Sequence, residues 1–253
     1  MFGSEYYCLV AGLREYTLDT DAKGFDAQAV VAEVLDGVSR RDAAAVRLLY
    51  GYYDCENIAA LRAGRSAHNP LGNFSREELA EQMKNPGRLP RRVADAVRAY
   101  ADPESEQAGE LDMDRRFETA LFDAYYAECA RSSSRFLREW SLFDRNLRNI
   151  IAAVAARAAG RTPEEVVVGG GDVSGQLRRS SAADFGLRGE LPWIDAVIAA
   201  VNDEANLVEK EHKIDLVRVN IVARWTRLDD RRGREMFGRL LAELDGKELI
   251  NKQ

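Results

Sequence analysis

Two apolar stripes with a helical repeat run through the middle of the chain, and they limit what it can fold into more than any other feature. Met113, Phe117, Ala120, Leu121, Ala124 and Glu128 fall on the first. After Ser132-Ser133-Ser134, the second carries Phe136, Trp140, Phe143, Leu147, Ile150, Ile151 and Val154. Side chains return to one face about every 3.6 residues in an α-helix but every second residue in a strand. The spacing therefore predicts two long helices, and Gly160 is placed to stop the second.

Shorter stripes repeat the pattern on either side. Val31, Val34, Leu35 and Val38 share one face, as do Val46, Leu49, Tyr50 and Tyr53, with Ile58 and Leu61 extending the latter. Ser75-Arg76-Glu77-Glu78 has the form of a capping box, and Asn85-Pro86-Gly87 closes the helix it opens. Val93, Val97 and Tyr100 mark a further helix, ended by Asp102-Pro103. In the last third the stripes are Ile194, Val197, Ile198 and Val201, then Ile214, Val217 and Ile221, then Met236, Phe237, Leu240, Leu241 and Leu244. Thr162-Pro163-Glu164-Glu165 starts a helix that Val166 to Gly171 cannot continue, so one turn and a loop are expected there. Only residues 6–10 and 166–168 read as strands. The expectation is an all-α protein of long-helix bundles: an N-terminal bundle over 1–105, long central helices over 106–162 and a C-terminal helical region over 163–253.

Composition narrows the function classes. The chain has 253 residues, 46% hydrophobic and 31% charged, which is enough to bury a core without disulfides or a structural metal. Its net charge is −6, which argues against general nucleic-acid binding, where affinity comes from basic side chains displacing counterions. Cys8, Cys55 and Cys129 are far apart and form no Cys-x-x-Cys pair, so a thiolate metal site is not expected and a reducing compartment is. No apolar run approaches the ~20 residues of a membrane span. Tyr6-Tyr7-Cys8-Leu9-Val10 follows no basic stretch, unlike a secretion signal.

Motifs that carry chemistry are few. Val166-Val167-Val168-Gly169-Gly170-Gly171-Asp172 resembles the strand and glycine turn of a dinucleotide site, but Ser174 stands where the third glycine belongs and no Gly-Lys-Ser/Thr ending follows. A small ligand- or nucleotide-binding enzyme using the Gly169–Gly171 turn is the alternative this leaves open. His212 and Asp215 could share a helical face, yet no second ligand pair accompanies them, and an ordinary surface pair is the simpler reading.

A recurring polar pattern says more. Asp54 is followed by Asn57-Ile58 and Arg62; Asp144 by Asn146-Leu147, Asn149-Ile150 and Arg157; Asp215 by Asn220-Ile221 and Arg224. Asp and Asn are mediocre helix formers, and beside a core face each must find hydrogen-bond partners. Three polar ties between packed helices are the expectation.

The same residues resemble the helix repeats of the AC39 family, the helical rotor-cap components of V/A-type rotary ATPases. Asp54-Cys55-Glu56-Asn57-Ile58 with Leu61-Arg62 is similar to one repeat, Phe143 to Ile150 to another and Ile214-Asp215 to a third. Closer still is a bacterial family of unknown function encoded with V-type ATPase genes, which Tyr6 to Leu13, Ser180 to Leu187 and Arg224 to Asp229 resemble. The resemblance implies a non-catalytic part that caps the membrane rotor ring from the inner, cytoplasmic face, receives the central stalk and passes torque between them. It implies the V-type ATPase rotor ring and central stalk as partners, a peripheral place without a membrane span of its own, no nucleic acid and no cofactor. Asp54, Asn57, Arg62, Asp144, Asn146, Asn149, Asp215 and Trp225 then stand as structural or interface positions. A stand-alone helical adaptor is a further alternative.

Overall fold

In the computed structural model the described residues are 6–13, 25–102, 104, 116–202 and 206–222, and all regular structure among them is helical. The expected all-α class is what the chain adopts. The two strand candidates do not form: Tyr7–Gly12 is a short helix, α1, and residues 166–168 are a turn and irregular chain. Five residues of apolar sequence carry too little periodicity to separate helix from strand.

Two compact units divide the chain, residues 1–189 and 190–253. Helices on both sides of the expected divisions at 105 and 162 thus share the first unit. Its elements are α2 (Ala27–Gly37), α3 (Arg40–Arg62), α4 (Arg76–Lys84), α5 (Arg91–Ala101), α6 (Phe117–Cys129), α7 (Arg135–Ala158), a 3-10 turn at Pro163–Glu165 and α8 (Asp172–Arg179). Local signals set their ends. Ser39, Ser75 and Ser134 each accept a hydrogen bond from a first-turn amide, and Ser75 with Glu78 completes the capping box. Past α7, Gly160 adopts φ +68°, the left-handed conformation that closes a helix.

Helix α6 packs on α5, α3 and α7, while α4 packs on α3 and α5. Cys55, Ile58, Leu79, Val93, Leu121, Tyr125 and Leu137 meet in this core. The fully buried face of α3 meets its apolar stripe only at Ile58. Val46, Leu49, Tyr50 and Tyr53 are half-buried, while Gly51, Asp54, Cys55, Asn57 and Ile58 point inward. Further along, Leu147, Ile150 and Ala153 of α7 are fully enclosed.

The second unit contributes α9 (Ile194–Asn202) and a helix over 207–222. Ile194, Val197, Ala200 and Val201 are buried on the first, Ile214 and Val217 on the second. The stripe over 236–244 lies outside the described residues.

Candidate functional site

Two asparagines, one on each long helix of the first unit, hold the loop that follows by the same two hydrogen bonds. Asn57 donates from Nδ2 to the Asn69 carbonyl (2.9 Å), and its Oδ1 accepts from the Asn69 amide (2.6 Å). Asn149 does the same to Val168, donating to its carbonyl at 2.7 Å and accepting from its amide at 2.9 Å. A carboxamide presents the same donor and acceptor as a peptide group, so one side chain satisfies both backbone groups of a residue that no helix or sheet serves.

The first clasp is reinforced by Asp54. Its buried carboxylate accepts from the amides of Asn73 (2.7 Å) and Phe74 (3.3 Å) and from Asn73 Nδ2 (2.6 Å). Burial pushes the Asp54 carboxyl above its usual range, and these donors pull it back only in part. The loop passes so close that a Cβ on Gly72 would come within 2.7 Å of Asp54 Oδ1. Asn73 also donates to the Arg47 carbonyl at 2.9 Å. Residues 69–74 are thereby pinned along α3.

The second clasp has other supports. Ser174 lies within 3.4 Å of Asn149, Arg178 donates to the carbonyls of Val167 (2.9 Å) and Gly169 (2.7 Å), and Asp123 accepts from the Gly169 amide. Gly169 sits at φ +76°, and a Cβ there would meet the Arg145 guanidinium at 2.8 Å. Asn146 stands one turn before Asn149, as Asp54 does before Asn57, yet it ties nothing down. Its Oδ1 is buried with no hydrogen-bond partner among the described residues.

The later arginines are paired too. Arg62 donates to the Tyr100 carbonyl (3.2 Å) and lies 4.3 Å from the Phe117 ring centre. Arg157 donates to the Ala182 carbonyl (2.7 Å) and the Ser180 carbonyl, and lies 3.6 Å from the Phe185 ring centre. Each guanidinium therefore closes a longer stretch of chain through a carbonyl and an aromatic face. The Asn-to-Arg spacing differs by three residues between the helices, close to one turn, so the drift in sequence keeps the two groups on similar faces.

Asp144 belongs to neither clasp. It accepts from the Tyr126 hydroxyl (2.8 Å) and from Arg148 Nε (2.9 Å), and Arg148 lies 3.8 Å from the centre of the Tyr52 ring. This group joins α3, α6 and α7. Burial pushes the Tyr126 and Tyr52 phenols well above their ordinary range, with Asp144 adding to the push on both. For Arg148 burial works against the charge, but Asp144 and the two tyrosines more than offset it and hold the guanidinium protonated. Nothing in the spacing points to Tyr52, Tyr126 or Arg148. A Tyr and an Arg among apolar residues look like core and surface until the helices are placed.

Comparison with known proteins adds one finding. The family described as a protein of unknown function, DUF2764, matches residues 3–223. The chain belongs to this family. No curated protein and no solved structure matches it. The family span takes in both clasps, both arginine ties and the Asp144 group, together with Ser180 to Leu187, which forms the bend under Arg157.

Other expected positions stand differently. Among the described residues Asp215 makes no tie between helices: it pairs with Arg218 one turn on, at 2.6 Å, with its side chain 44% exposed, and Asn220 is exposed, while Arg224 lies outside the described residues. A polar residue on a solvated face meets its needs locally or from water, so the third repeat shows no clasp among the described residues. Trp225 lies outside the described residues. The glycine turn follows no strand, and its flanking backbone groups serve the Asn149 clasp. Among the described residues no group of three or more His, Cys, Asp and Glu side chains is placed to hold a metal, and no helix is long and apolar enough to cross a membrane.

The first clasp also shapes a surface. A groove of about 330 Å³ lies between α2, α3 and residues 70–74, with Val31, Leu35, Val46, Tyr50, Leu71 and Phe74 along it. Gln28 Nε2 donates to the Pro70 carbonyl at 2.8 Å and joins α2 to the pinned loop.

Proposed function

We propose that the chain is a non-catalytic, AC39-like coupling component of a V-type ATPase, acting between the central stalk and the membrane rotor ring in proton or sodium transport. On this reading it docks on the inner face of the membrane through its partners. The observation that carries it is the repeated Asp/Asn and Arg pattern that resembles the AC39 family, whose two instances on α3 and α7 each clasp the following loop and a more distant carbonyl. A part that passes torque needs a body whose segments cannot slip, and side-chain locks between helix and loop supply that stiffness, as does a close-packed core. The resemblance over Tyr6 to Leu13 and Ser180 to Leu187 supports the same reading.

The test is affinity purification of the full chain from its native membranes. Recovery of the rotor-ring and central-stalk proteins in stoichiometric amount is expected. A chain recovered alone, or with partners that include no ATPase component, overturns the reading.

A further inference from the structure

We propose that the groove between α2 and α3 is a docking site for an amphipathic helix of a partner protein that carries acidic side chains beside its apolar stripe. The inference does not depend on the ATPase reading. Three observations carry it.

The first is an apolar helix face, half-buried, that its own unit covers only in part. Val31, Leu35 and their neighbours give α2 a helical apolar stripe, yet no residue of α2 is buried. Every other described helix of eight residues or more in the first unit buries at least two. The second is that the groove is built rather than accidental. Its far wall is residues 70–74, held against α3 by buried Asp54 and by Asn73, and bridged to α2 by Gln28. A wall fixed by that many hydrogen bonds presents a formed surface, so little ordering cost falls on binding.

The third observation fixes the chemistry of the occupant. Among the described residues the charged ones lining the groove are Arg47 and Arg88, with no carboxylate, in a chain whose net charge is −6. Arg88 already pairs with Glu78 at 2.9 Å. Arg47 is exposed and donates to no described residue, and Arg40, also exposed, stands two turns earlier on α3. The lining runs along α2 from Gln28 to Leu35, about two helical turns, enough for anchors at i, i+3 or i+4 and i+7 of a partner helix. Apolar anchors would enter between Leu35 and Tyr50, and flanking Glu or Asp would reach Arg47 and Arg40.

The experiment uses the full chain and two fluorescein-labelled peptides of about 18 residues, a length able to become helical on binding. Both carry a leucine stripe; one has Glu on the flanks and the other Lys. Fluorescence anisotropy should show the Glu peptide binding at least about tenfold more tightly, with the preference shrinking as salt is raised. Leu35→Asp should abolish binding while leaving the circular dichroism spectrum unchanged. Arg47→Glu should reduce the preference to less than about threefold. Equal binding of both peptides, or binding of neither, overturns the proposal. So does a dimer in light scattering that Leu35→Asp dissolves, since a second copy would then fill the groove.

Discussion

Asp144 ties residues of three helices together through one side chain. Its carboxylate is the common partner of Tyr126 and Arg148, and Arg148 in turn lies on Tyr52. Removing it leaves a buried hydroxyl without its acceptor and a half-buried guanidinium with only the Tyr52 ring beside it. Asp144→Ala should therefore lower stability by about 3–5 kcal/mol, the scale for breaking one side of a buried pair. An unchanged melting temperature for that variant would show that the group is not structural. Asp54 differs in kind, because its three donors are neutral amides and burial is the larger influence on it. A folded carboxyl raised above its unfolded value near 3.8 contributes stability fully below that value and loses it as pH rises through the folded value. Asp54→Asn removes this dependence. In urea melts between about pH 3 and pH 6, the difference between wild type and variant should move in the variant's favour as pH rises.

At the scale of elements, the clasps explain which features could be read from the chain and which could not. The cap at Ser75, the stop at Gly160 and the stripe on α7 are local signals, and each helix end lies where they point. The inward face of α3 is only partly legible, because Gly51, Asp54 and Asn57, which hydropathy reads as surface, interrupt its apolar residues Cys55, Ile58, Ala59 and Ala60. The repeat was visible, but its phase was not. Asp144 looked like the counterpart of Asp54, whereas Asn149 is the working counterpart of Asn57. Only the partners, Asn69 and Val168, distinguish them, and they lie 12 and 19 residues away. The contrast within one helix gives a test. Asn149→Ala strands the amide of Val168, leaves its carbonyl only the Ser174 hydroxyl, and should cost about 2–4 kcal/mol, while Asn146→Leu removes a polar atom that has no described partner and should change stability by less than about 1 kcal/mol. Chemical denaturation of both variants checks the ranking. Equal costs would mean that the clasp does not fasten the loop.

At the scale of the molecule, the first unit closes its core over two of the three cysteines. Cys55 and Cys129 are buried, whereas Cys8 is exposed. Burial, first among its causes, pushes the Cys129 thiol up to about 12, and it raises Cys55 well above the ordinary thiol range. Since the thiolate is the reactive form, both should resist alkylation near neutral pH. Mass spectrometry after a brief iodoacetamide pulse should find Cys8 modified in the native protein and all three modified in denaturant. Labelling of Cys55 or Cys129 at the rate of Cys8 would mean that the core opens readily. The division into two units falls in the Gly- and Pro-containing stretch before Ile194, but the turn signals at residues 64–73 and 85–87 read the same way in the sequence and lie inside the first unit.

Hydrogen exchange gives the clasps a signature in time. Asn69 and Val168 lie in chain without regular structure, where backbone hydrogens ordinarily trade with solvent quickly. Their amides point at Asn57 Oδ1 and Asn149 Oδ1, and those side chains are 3% and 2% exposed. Neither proton can leave until its loop lifts from the helix. Both should exchange as slowly as amides in the middle of α3 and α7, so that two loops keep the clock of the helices they are fastened to.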